Sequence, residues 1–248
     1  VTLSVFASAA NTDRDSYYGP GNDPLKAYGK TTDLTAMGGA QYVHTFDKCF
    51  FMPSDLTAGL EYNRDRLKDN MWGYNRHTDQ TVNIYSAFLQ NEWKNDRWGI
   101  LIGGRLDKHN MVDNVIFSPR ANLRFNPTQN INLRLSYSSG FRAPQAFDED
   151  MHIENVGGTV AMIERAKDLK EEKSQSFSAS ADMYHRFGAF QTNLLIEGFY
   201  TRLTDVFVLG KPYDRGDGIL VKTRSNGPGA KVMGLTLEGK VAYLSILQ

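Results

Sequence analysis

The chain has 248 residues, and its 28 Lys plus Arg are balanced by 28 Asp plus Glu. That balance, with no basic stripe along the sequence, excludes the electrostatic footprint of a nucleic-acid binder. Apolar residues make up 41%, and no apolar run approaches the roughly 18 residues of a spanning helix. A helical membrane protein is therefore excluded, but a membrane β-barrel, which hides its lipid face in alternation, is not.

Ten strands are predicted in chain order, near 1–10, 32–46, 54–66, 79–93, 97–107, 117–125, 130–139, 173–186, 189–204 and 231–244. They are rich in aromatic and β-branched residues, and Gly, Asn, Asp and Pro collect between them. The opening VTLSVFASAA lacks a basic n-region and reads as a strand, not a signal peptide. In 79–93, Val82, Ile84 and Phe88 fall on one face while Tyr85, Leu89 and Trp93 take the other. Strands 1–10 and 189–204 are also apolar on both sides in places. The segment 97–107 is cleaner, with Trp98, Ile100, Ile102 and Leu106 opposing Arg105 and Asp107.

The hairpin over 117–138 is the clearest. Phe117, Pro119, Ala121, Leu123 and Phe125 alternate with Ser118, Arg120, Asn122 and Arg124. After Asn126-Pro127-Thr128-Gln129, Ile131, Leu133, Leu135 and Tyr137 alternate with Asn132, Arg134, Ser136 and Ser138. Period two gives each strand one apolar and one polar face. About ten residues, tilted about 40°, cover an apolar band about 25 Å tall. Further on, Phe177, Ala179, Ala181 and Met183 oppose Ser176, Ser178, Ser180 and Asp182, and Met233, Leu235, Leu237, Val241 and Tyr243 oppose Thr236, Glu238 and Lys240.

The connections alternate long and short. Long ones are predicted at 11–31, 67–78, 108–116, 140–172 and 205–230, and short ones at 47–53, 94–96, 126–129 and 187–188. All the long loops then lie at one end, as in outer-membrane barrels, where a structureless loop of some 30 residues is expected. Tyr42, Phe46, Phe50, Phe51, Trp93 and Trp98 gather near the short-turn ends, where a barrel carries an interfacial girdle; aromatics are also simply common in strands. The single Cys49 rules out an intrachain disulfide and argues against a cysteine zinc site.

The motifs resemble one family. Ser118-Pro119-Arg120 with Asn122-Leu123, Leu133-Arg134 with Ser136-Tyr137, and Ser139-Gly140-Phe141-Arg142-Ala143-Pro144 resemble the barrel of TonB-dependent outer-membrane receptors. After a long loop, Asp168-Leu169-Lys170-Glu171-Glu172-Lys173-Ser174 resembles that family's box opening the next strand, with Glu171 where proline is common. The match is densest over 97–204. The resemblance implies an all-β fold: an antiparallel up-and-down meander forming about ten strands of a barrel of about 22, normally plugged by an N-terminal domain. It also implies a place in the outer membrane among its lipids, energy from the TonB complex through the plug region, and uptake of an iron complex, haem or a cobalamin-like ligand. The strands are too few to close a barrel, no plug is recognisable, and the ending Leu244-Ser245-Ile246-Leu247-Gln248 lacks a terminal aromatic. An internal piece of a barrel with two raw edges is therefore expected.

Loop 140–172 is the candidate for ligand contact, through Asp148, Glu149, Asp150, His152 and Arg142, with Gly157-Gly158 as a flexible pair. The resemblance makes His152 a candidate axial haem ligand, since haem receptors of the family carry a histidine between the two boxes; a solvated loop histidine is the alternative. The acidic run can instead repel anionic ligands or bind a cation, and Asn11, Asp13 and Asp15 fail as a calcium loop because Ser16 and Asn22 stand where glycine and glutamate are required. Arg105, Arg120, Arg124 and Arg134 are expected on the lumen side, facing a plug or lining a polar channel. No bound cofactor is implied. Enzyme motifs are absent: no G-x-S-x-G, no H-E-x-x-H, no phosphate loop, and histidines more than 30 residues apart. A passive porin-like channel and a soluble β-sandwich binding module remain as alternatives, the first disfavoured by the two boxes.

Overall fold

In the computed structural model, residues 1–17, 28–152, 154–156, 159–216 and 218–243 are described. Their strands are, in chain order, β1 (Thr2–Tyr17), β2 (Tyr28–Cys49), β3 (Met52–Met71), β4 (Arg76–Lys94), β5 (Trp98–His109), β6 (Ile116–Thr128), β7 (Ile131–Arg142), β8 (Glu154–Val156), β9 (Thr159–Arg165), β10 (Glu172–Phe187), β11 (Phe190–Thr204), β12 (Phe207–Leu209), β13 (Tyr213–Asp214), β14 (Ile219–Asn226) and β15 (Ala230–Tyr243). Ten of them form one antiparallel meander in the order β1-β2-β3-β4-β5-β6-β7-β10-β11-β15. All ten predicted strands are present. Among the described residues β1 and β15 are its two edges, each paired on one side.

Register fixes the faces. Arg120 lies opposite Ser138, Ser138 opposite Ser176, and Ser176 opposite Thr201, so the polar face is continuous across β6, β7, β10 and β11. Hydroxyls bridge neighbouring strands on it, as in Ser176 to Thr201 at 2.9 Å. The opposite face carries Leu60, Leu89, Ile102, Phe117, Leu135, Phe177, Met233, Leu235 and Leu237, all exposed. A sheet that exposes its apolar side and hydrogen-bonds its polar side is the inverse of a soluble sandwich, where burial inside drives folding. At the short-turn ends rings stack across the apolar face: Trp98 on Phe125 with centroids 4.2 Å apart, and Phe51 on Trp93 at 5.6 Å. The Trp93 indole N–H donates to the Cys49 carbonyl at 3.0 Å, tying the girdle to the first short turn.

The predicted long loop 67–78 is a correction. β3 runs to Met71 and β4 starts at Arg76, leaving only Trp72 to Asn75, a 3-10 turn closed by Asn75 in the left-handed region. Beyond the apolar band the ladder is carried by polar pairs, with Asn70 and His77 3.0 Å apart and Lys68 3.6 Å from Asp79. Such residues show no apolar alternation, so the sequence reading stopped at the band's edge. β1 likewise extends to Tyr17, and 18–27 lie outside the described residues.

The two longest loops are a second correction, because they are not structureless. β8 and β9 from 143–171, with β12, β13 and β14 from 205–229, make a separate sheet in which β9 and β14 run parallel. A parallel pairing between segments far apart in sequence has no local signature. Met162 and Ile219 from this sheet bury themselves against Met71 and Tyr74 at the long-loop end of the wall.

Candidate ligand-binding site at the long-loop end

The polar wall divides into a paired half and an unpaired one. Arg105 contacts Asp107 at 2.8 Å and Glu61, and Ser86 donates to Asp107 at 2.6 Å. Arg105 is thus held by two carboxylates of the same wall. Arg124 lies directly opposite Arg134, and its guanidinium donates to the Asn95 and Trp98 carbonyls at 2.9 and 3.3 Å. Among the described residues Arg120, Arg124 and Arg134 have no carboxylate partner. Like charges directly opposite on one face are unfavourable without a counterion.

Above that wall, loop 143–171 is fastened inward. Gln80 of β4 accepts two hydrogen bonds through its one side-chain oxygen, from the Ala146 N–H and the Arg165 guanidinium, both at 2.8 Å. Arg165 also donates to the Pro144 carbonyl at 3.0 Å. Arg76 binds Asp69 at 2.8 Å and the Met151 carbonyl at 2.8 Å, while Thr31 donates to the same Asp69 at 2.7 Å. His109 is fully buried; its Nδ1 accepts the Met111 N–H at 3.0 Å, so Nε2 carries the proton given to Gln145 at 3.2 Å. None of Arg76, Gln80, His109, Arg165 or Arg224 was singled out from the sequence. Gln80 and Arg165 are 85 residues apart, and a contact of that span leaves no local trace.

The predicted ligand-contact residues do not come together as one surface. Asp150 is buried, its carboxylate accepting the Phe147 N–H at 3.0 Å and lying 2.7 Å from the Arg224 guanidinium. Arg142 stacks over Phe147 at 3.9 Å and Phe207 at 5.4 Å, a bridge between the two long loops. His152, just after the helical turn Asp148–Met151, is exposed. The side chains of Asp148 and Glu149, and Gly157-Gly158, lie outside the described residues. Among the described residues no group of three or more metal-ligating side chains assembles.

Burial pushes the His109 imidazole below its ordinary pKa, against the Gln145 hydrogen bond and the Asp107 charge, which favour the proton. A histidine whose folded pKa is depressed stabilises the fold above its unfolded pKa of about 6.5, and that contribution is lost as pH falls from there toward the folded value. Amides of 143–151 are therefore expected to lose hydrogen-exchange protection as pH falls below about 6.5. In H109Q that pH dependence should flatten.

Comparison with known proteins settles the family. The model of the "TonB dependent receptor-like, beta-barrel" family matches residues 2–247. The chain belongs to the TonB-dependent receptor family. No curated protein matches it. Among solved structures it resembles the siderophore receptor PirA from Pseudomonas aeruginosa, with TM-score 0.70 and 14% identity over 96% of this chain and 46% of that one. The FrpB iron transporter from Neisseria meningitidis gives 0.68 and 16% over 98% and 39%. The ferric enterobactin receptor PfeA from Pseudomonas aeruginosa gives 0.65 and 19% over 95% and 38%. Identities this low speak to fold. The chain spans less than half the length of each of these receptors, so the open meander is a segment of a TonB-dependent receptor barrel.

Proposed function

We propose that this chain is part of an outer-membrane receptor that takes up a scarce iron complex, a ferric siderophore or haem, using energy delivered by TonB. Family membership carries the reading, and the siderophore and iron receptors it resembles support the ligand class. The receptor works by binding and translocation, with no catalytic step. The fastened loop 143–171 forms the mouth of the lumen. Within it His152 is the exposed candidate for ligand contact, with Asp148 and Glu149 beside it in sequence, while Asp150 and Arg142 hold the loop in shape. Arg120, Arg124 and Arg134 face the plug region of the whole receptor, or an anionic ligand passing it.

The test uses the full-length gene in an iron-limited strain lacking its own copy. Restored growth on a ferric siderophore or on haem, lost when TonB is removed, is the expected result. Growth that persists without TonB would make the protein a passive channel. If haem is the ligand, H152A should cut haem-supported growth at least tenfold and leave siderophore uptake intact. In a C49S background, D168C should react with a membrane-impermeant maleimide on whole cells, whereas the original Cys49, in a short turn at the opposite end, should not.

A further inference from the structure

The apolar face is not uniform. Across β5, β6, β7, β10, β11 and β15 it sinks into an open trough of about 1050 Å³. Small residues, Ala121, Ala179 and Gly198, make its floor, and larger ones such as Leu135, Phe177 and Leu235 make its walls. Tyr137 is shared with a second, more polar hollow of about 360 Å³ at the long-loop end, lined also by Ser139, Glu171, Lys173 and Gln175.

That end of the trough is basic. The row Phe177, Tyr200, Met233 crosses β10, β11 and β15, and one step further toward the long loops the row is Gln175, Arg202, Lys231. Lys173 follows on the same face as Gln175 and is diagonal to Arg202. Lys173, Arg202 and Lys231 are all exposed on the side that carries the apolar residues, not on the polar wall. Arg202 and Lys231 lie directly opposite each other, an arrangement that costs free energy unless an anion offsets it. Among the described residues only Lys173 has a carboxylate partner, Glu171 at 3.0 Å.

We infer that this trough and its basic row bind a phosphorylated, multi-acylated lipid of the surrounding leaflet, acyl chains along Ala179 and Gly198 and phosphate against Lys173, Arg202 and Lys231. The inference rests on the membrane-receptor reading above. An acidic protein partner would satisfy the cations but leave the adjoining trough open. A zwitterionic phospholipid would fill the trough but bring no net anion to Arg202 and Lys231, the two cations of the row without a carboxylate partner among the described residues. Only an amphiphile with both parts matches the continuity of the two hollows, as basic rows at a membrane surface select anionic headgroups.

The experiment uses the full-length receptor in detergent, stripped of lipid and then incubated with a bisphosphorylated multi-acyl glycolipid, its dephosphorylated form, phosphatidylethanolamine or inorganic phosphate. Retained molecules are counted by native mass spectrometry. The wild type should hold the phosphorylated glycolipid at least tenfold better than the dephosphorylated form. K173Q/R202Q/K231Q should lose that preference at least tenfold. G198L should weaken both glycolipids by filling the trough; a Cβ at Gly198 meets its nearest atoms at 3.9 Å, so the backbone there has room for a side chain to start. Equal retention of the two glycolipids, full retention by the triple variant, or displacement of bound glycolipid by inorganic phosphate would overturn the inference while leaving the receptor reading intact. Recovery of the protein in the aqueous phase without detergent would instead overturn the receptor reading, and this site with it.

Discussion

R76M is expected to cost about 3–5 kcal/mol at the long-loop end, the range for removing one partner of a buried ion pair. Asp69 is 1% exposed and Arg76 contacts it through both Nε and Nη2, at 3.1 and 2.8 Å. Without the guanidinium, the Asp69 charge stays out of water with only the Thr31 hydroxyl against it among its described partners, and the Met151 carbonyl loses a donor. The loss should be local. Hydrogen exchange should rise over Trp72–Asn75 and 143–151, while the heat-resistant migration of the whole barrel stays unchanged. D69N/R76M should recover most of the loss, because no charge is then left buried without a partner. A single variant as stable as wild type would show that the wall does not hold the loop through this pair.

G39V should damage the wall itself. A Cβ at Gly39 would sit 2.7 Å from the Leu60 carbonyl oxygen, 2.7 Å from the Phe6 ring and 3.1 Å from the Glu61 side chain. Phe6 can swing away, but the carbonyl belongs to the β2–β3 ladder and moves only if the strands separate. Overpacking of this kind costs about 1–3 kcal/mol. Displacing Glu61 also withdraws one carboxylate from Arg105. We expect less assembled, heat-resistant receptor in the membrane, with G39A intermediate. An unchanged yield of assembled G39V would mean that β2 and β3 can shift apart here without cost.

These two sites differ in how far the sequence announces them. Alternation at Phe117–Phe125, Ile131–Tyr137 and Phe177–Met183 sufficed for the strands and for their polar and apolar faces, because period two is a local property of the pleated backbone. The boxes around Phe141-Arg142-Ala143-Pro144 and Asp168–Ser174 were enough for the family. The strand ends at Leu67–Met71 and Arg76–Thr78 were missed because polar pairing continues where apolar alternation stops. Val82, Ile84 and Phe88 looked out of place beside Tyr85 and Leu89. Register puts the first set on the polar face with Arg105 and Asp107, and Val82 is 2% exposed.

By itself, the sequence determined the meander, its faces and the receptor family, but it read the tight turn Trp72–Asn75 as a long loop. Only the tertiary structure decided what loop 140–172 does with its charges. Asp150 and Arg142 looked available for a ligand, yet Asp150 lies against Arg224 and Arg142 against Phe147 and Phe207. Gln80, Arg76 and His109, unremarkable in the sequence, fasten the loop. The physical reason is one of range. Strand alternation is set by neighbours two residues apart, whereas a buried polar group is satisfied by whichever partner the fold brings near, here 66 residues away for Gln80 and Ala146 and 75 for Arg76 and Met151.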